Sequence, residues 1–119
     1  MQYLLLIYTD ETKAPAPGSP ATAALMKDYA EFTRGIMESG NYKGGNALQP
    51  VTTATAVRVR DGKTLLTDGP FAETAEQLGG YYLIDAPNLD DAIAIAARIP
   101  GARRGTVEVR PVWSMAPAA

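Results

Sequence analysis

Asp68, Glu73 and Glu76 fall within one short stretch, and the three-residue spacing of Glu73 and Glu76 brings them together if Ala72 to Leu78 forms a helical turn. Carboxylates held side by side raise one another's pKa, so such a group can work as a general acid or base. It can equally be a solvated face. Arg58, Arg60 and Arg110 lie in alternating segments, which can set their guanidinium groups on one sheet face near Glu108. There they would hold an anionic or carbonyl-bearing small ligand through bidentate bonds, or one of them would simply pair across strands with Glu108. Tyr81 offers a phenol donor or plain packing, and Gln77 can orient a ligand or satisfy loop backbone.

Missing residue types narrow the chemistry further. The 119 residues contain no histidine and no cysteine. The usual base near neutral pH, thiolate nucleophiles, disulfides and imidazole or thiolate metal sites are therefore excluded, leaving all-oxygen sites for hard cations. Asp90-Asp91 is no such site, because it opens a helix, where the dipole favours carboxylates, without further oxygen ligands nearby. Gly44-Gly45 and Gly79-Gly80 lack the spacing and strand-to-helix context of a phosphate cradle. No metal and no cofactor is expected. With 11 basic and 13 acidic residues the net charge is -2, which gathers no polyanion, so nucleic acid is not an expected partner. The apolar start Met1 to Tyr8 has no basic flank and is too short to span a bilayer, which points to a cytoplasmic protein without membrane contact.

The length fits one domain, expected over residues 1–113, with a small-residue tail at 114–119 expected to be disordered. Tyr3 to Thr9 is β-rich and apolar on both faces, as suits a central strand. Asp10 to Pro20 reads as a loop. Ser19 then caps a helix with Pro20 in its first turn, carrying the stripe Leu25, Tyr29, Phe32 and Ile36, read as core packing, to a stop near Gly40. Asn41 to Thr52 is glycine-rich and reads as a loop. Thr53 to Arg60 alternates like a strand, Asp61-Gly62 signals a tight hairpin, and Lys63 to Thr67 returns. Tyr81 to Asp85 is a further strand. Asn88 caps a second helix, with the stripe Leu89, Ile93, Ala96 and Ala97, ended by Pro100-Gly101, and Thr106 to Trp113 forms the last strand.

The expected fold is thus α+β, a ferredoxin-like βαββαβ arrangement with an inserted β-hairpin and two helices on one face of an antiparallel sheet. Helices can cover one face of that sheet, so a second copy of the chain is the simplest cover for the other, and a homodimer with facing sheets is expected. Between hairpin and strand, Asp68-Gly69-Pro70-Phe71 can be a turn in which Asp68 accepts backbone N–H groups, Gly69 takes a positive φ and Pro70 presets the next one. Asp68 is then a turn former or a functional carboxylate, and Phe71 a core anchor.

The run Thr67-Asp68-Gly69-Pro70-Phe71-Ala72-Glu73-Thr74, followed by Glu76-Gln77-Leu78-Gly79-Gly80-Tyr81-Tyr82-Leu83-Ile84, closely resembles the signature of the DGPF family within the YCII-related group. Tyr3 to Tyr8, Ala54 to Arg58 and Val107 to Val112 carry the likeness over nearly the whole chain. The resemblance implies a ferredoxin-like domain that pairs into a dimeric α+β barrel. It also implies members encoded beside extracytoplasmic-function sigma factors, YCII-type enzymes built around a His and Asp pair, and more distant barrels acting on small ring compounds. The His and Asp pair has no counterpart here, since histidine is absent. Two functions remain open. One is a small-molecule-binding or enzymatic protein with its site in the barrel between the sheet and the Asp68–Gly80 loop, where Asp68, Glu73 and Glu76 are the catalytic candidates and Arg58, Arg60, Arg110, Tyr81 and Gln77 the ligand-binding ones. The other is a non-catalytic regulatory or partner protein linked to extracytoplasmic-function sigma factor signalling.

Overall fold

In chain order the elements are β1 (Gln2–Thr9), α1 (Pro20–Glu38), β2 (Tyr42–Ala47), β3 (Thr55–Arg60), β4 (Lys63–Asp68), β5 (Gln77–Asp85), α2 (Leu89–Ala97) and β6 (Thr106–Pro111). The computed structural model of the chain describes residues 1–114, so most of the expected tail lies outside the described residues. Four strands form one antiparallel sheet in the order β2-β5-β1-β6, with β1 and β5 central. With a helix between β1 and β2 and another between β5 and β6, this is the ferredoxin-like α+β arrangement.

Strict alternation along β1 sorts the two faces of the sheet. Tyr3, Leu5 and Ile7 are buried, whereas Leu4, Leu6 and Tyr8 are half-buried on the other side. The buried set meets Ile84 of β5, Phe32 and Ile36 of α1, and Ala92, Ile95 and Ala96 of α2 in one core that Ile99 completes. Both helices therefore cover the same face. Ser19 caps α1 as its sequence predicts, accepting the Thr22 N–H, and Asn88 caps α2 by accepting the Asp91 N–H.

Four local readings need correction. The glycine-rich segment after α1 contains β2, a strand that YKGGNA does not announce, because its order comes from pairing with β5 rather than from side-chain pattern. β3 and β4 therefore do not join the main sheet. They pair with each other in a separate two-stranded sheet, through an Asp61-Gly62 turn with φ of 52° and 74°. The inward face of α2 is Ala92, Ile95 and Ala96, while Leu89 and Ile93 are 47% and 48% exposed. Small alanines let this short helix lie close to the sheet, and Ile95 and Ile99 fill the remaining space. Phe71 is 75% exposed and lies beneath the Arg58 guanidinium, 4.7 Å from the ring centroid, so it anchors no core.

Candidate functional site

The segment between β4 and β5 forms no helical turn, so the spacing of Glu73 and Glu76 does not bring them together as expected. Asp68 and Glu73 are exposed, and no hydrogen bond joins Asp68, Glu73 and Glu76 among the described residues. Gly69 does take a positive φ, 95°, and its N–H donates to the Ala54 carbonyl at 2.7 Å, closing the base of the hairpin. Gln77 holds loop backbone on both sides: its Oε1 accepts the Glu11 N–H at 2.9 Å and its Nε2 donates to the Thr74 carbonyl at 2.6 Å.

The arginines also part company. Arg58 and Arg60 stand exposed on the hairpin, with Arg60 donating to the Val59 carbonyl at 2.9 Å, while Arg110 lies on β6 in the other sheet. Arg110 pairs with Glu108 on the sheet face that the helices leave open. On that face a broad hollow runs between the sheet residues Tyr8, Thr106 and Glu108 and the loop residues Thr74 to Glu76. There Thr106 Oγ1 donates to Glu76 Oε1 at 2.9 Å. Tyr81 is on the same open face, where its hydroxyl accepts from Asn46 Nδ2 at 2.8 Å.

A better enclosed space lies on the helix side. Between α1 and the β2 end of the sheet is a cavity of about 320 Å³, within the range of small-ligand sites. Its aromatic wall is Tyr29 from α1, Tyr42 from β2 and Tyr82 from β5, and Ile7 and Thr33 contribute to its lining. The Tyr82 ring is fixed by edge-on contacts to Phe32 at 5.2 Å and Tyr42 at 6.4 Å between centroids. Its hydroxyl lies 2.6 Å from Thr33 Oγ1. Burial pushes the Tyr29 and Tyr82 phenols above their ordinary pKa, so both remain protonated and neutral in the physiological range.

Glycines let the two strands beside this space approach closely. A Cβ on Gly45 would come within 2.8 Å of the Tyr81 carbonyl oxygen and 2.9 Å of the Tyr82 ring, and one on Gly80 within 3.0 Å of the Asn46 carbonyl oxygen. Gly79 sits at a register shift, since Gly80 faces Ile7 while Leu78 faces Tyr8. Gly45 on β2, opposite Tyr82, and Gly79 and Gly80 on β5, with Gly80 opposite Ala47, all line the cavity. Glycines without a phosphate-loop context are the sequence signal for a site the charged residues do not reveal. Among the described residues no group of three metal-ligating side chains occurs, and no helix is long and apolar enough to cross a membrane.

Comparison with known proteins agrees with this frame. An uncharacterized protein of Rhizobium meliloti (strain 1021) is 39% identical over 114 residues, covering 94% of this chain and 92% of the relative. The model of the YCII-related domain matches residues 1–116, through every strand and helix described above. The chain therefore belongs to the YCII-related domain family.

Proposed function

We propose that this chain is a small-molecule-binding protein whose ligand occupies the tyrosine-walled cavity between α1 and the sheet. The observation that carries this reading is the cavity itself, about 320 Å³ and walled from both layers of the fold. A site built on a helix and two sheet strands holds its walls better than one built on loops. Ala47, which is exposed and pairs with Gly80 across the strands, lines the same space and offers a way to block it without touching the core. A thermal-shift screen with small aromatic, quinone and carboxylate compounds tests the reading. A hit at about 100 times its Kd adds roughly 2.7 kcal/mol of stability by mass action. The stabilisation is expected to vanish in Ala47→Phe; a hit that survives this substitution binds elsewhere and counts against the cavity.

The same reading includes a homodimer. Leu4, Leu6 and Leu83 on the open face are half-buried within one chain, and both helices lie on the opposite side. A second copy related by a two-fold axis covers this face with its own identical surface. The hollow holding Glu76, Tyr8 and the Glu108–Arg110 pair would then turn from open surface into barrel interior. That supports a polar second site between sheet and loop, in which Glu76 and Arg110 are the groups retained from the sequence-based set.

A further inference from the structure

The lining of the tyrosine cavity contains no charged side chain. A carboxylate or ammonium entering it would lose part of its hydration without gaining a counter-ion from the lining, which weakens its binding relative to a neutral ligand of the same shape. What the walls do present are aromatic faces and a small number of hydroxyls. The Tyr82–Thr33 pair is the informative one. Its two oxygens stand 2.6 Å apart and either can donate to the other. Two hydroxyls bring two protons, and one proton joins the two oxygens. The second proton has no other protein acceptor among the described residues and remains available to an acceptor in the cavity. Tyr29 lines the same space with its hydroxyl turned toward Gly101.

Resting on the reading of this cavity as the ligand site, we propose that it selects an uncharged, flat, largely apolar molecule of one or two rings. The ligand carries a hydrogen-bond acceptor such as a carbonyl, which meets the free proton of the Tyr82–Thr33 hydroxyl pair. The size follows from volume: an apolar protein cavity of roughly 150 Å³ takes up benzene, so about twice that space admits one substituted ring or two fused ones. The flatness follows from the lining, where Tyr29, Tyr42 and Tyr82 offer aromatic surface for a ring to pack on and Gly45, Gly79 and Gly80 add no side chain. Tyr82 and Thr33 are then specificity-determining residues, acting through their paired hydroxyls.

Three probes of nearly equal shape separate the elements of this proposal: acetophenone, ethylbenzene and benzoate. Binding is followed by amide chemical shifts of Gly80, Tyr82 and Ala47 during titration of the intact protein. Acetophenone is expected to bind, ethylbenzene about 3- to 10-fold more weakly because it lacks the acceptor, and benzoate more than 10-fold more weakly because it is charged. A chain carrying both Tyr82→Phe and Thr33→Val, which loses both hydroxyls, is expected to abolish the preference of acetophenone over ethylbenzene, and Ala47→Phe to abolish binding of all three. Benzoate binding as well as acetophenone, or a preference that persists when both hydroxyls are removed, overturns the proposed ligand class and leaves the cavity as a site. Absence of cavity shifts with every probe, on protein whose spectrum shows it folded, overturns the site and the class together.

Discussion

Among single residues, Tyr82 has two roles that substitution can separate. Its ring packs between Phe32 and Tyr42, and its hydroxyl meets Thr33. Tyr82→Phe keeps the first and removes the second, so a loss of about 0.5–1.5 kcal/mol is expected from urea unfolding, the ordinary contribution of one hydrogen bond. The pH dependence has a definite sign. Burial raises the pKa of Tyr29 and Tyr82 in the folded chain, so the stability linked to the neutral phenols is fully present below the unfolded tyrosine pKa of about 10. It is lost as pH rises through the higher folded values. The urea midpoint should therefore fall on the alkaline side, and fall less steeply in a chain carrying both Tyr29→Phe and Tyr82→Phe; equal slopes would mean that burial does not hold these phenols neutral. At Gly45 the expected effect is steric. Gly45→Ala sets a methyl against strand backbone and the Tyr82 ring and should cost on the order of 1–3 kcal/mol, with Tyr82 chemical shifts moving as the ring gives way.

Within the elements, legibility in the sequence follows how much of the instruction is local. β1, α1 and the Asp61-Gly62 hairpin carry their own signals: alternation, a Ser-Pro start and a turn needing positive φ. β2 carries none, because two of its six residues are glycine and its order depends on β5, some forty residues away. The same limit hid the candidate site. Charged residues invite chemical readings, yet Arg58, Arg60 and Arg110 are divided between two sheets, and Glu73 and Glu76 share no helical turn. Tyr29 was legible as part of an inward stripe, but only long-range pairing shows that the stripe stops short of the glycines and leaves a space. The β3–β4 hairpin predicts its own energetic independence. Replacing residues 57–66 by a short glycine link keeps the Gly69–Ala54 closure and should change the unfolding free energy by no more than about 0.5 kcal/mol, because the removed residues contribute nothing to the core. By contrast Leu5→Ala, fully inside that core, is expected to cost about 2–5 kcal/mol.

For the whole molecule, the shape is a thin slab, 52 × 48 × 19 Å, the thickness of one sheet with one layer of helices. A two-layer slab leaves one sheet face without cover, and here that face carries Leu4, Leu6, Tyr8 and Leu83. The expected particle in sedimentation is twice the 12.6 kDa chain mass. Leu83→Asp, which alters the open face and leaves the helix-side core intact, should shift it to the single chain with unchanged far-ultraviolet dichroism. A wild-type chain that sediments at 12.6 kDa at high micromolar concentration would remove the basis for the barrel interior.

The detached hairpin also sets a clock. A two-stranded ribbon is barely stable alone in water, and every residue from Lys63 to Asp68 is exposed. Its cross-strand N–H groups should therefore exchange with deuterated solvent far sooner than those of β1, whose neighbours on both sides keep them closed. Any body that settles on Val57, Val59 and Leu66 would slow that exchange without altering a single bond inside the ribbon. Those amides thus report whether the arm is solitary or covered, in a cell extract as readily as in a purified sample.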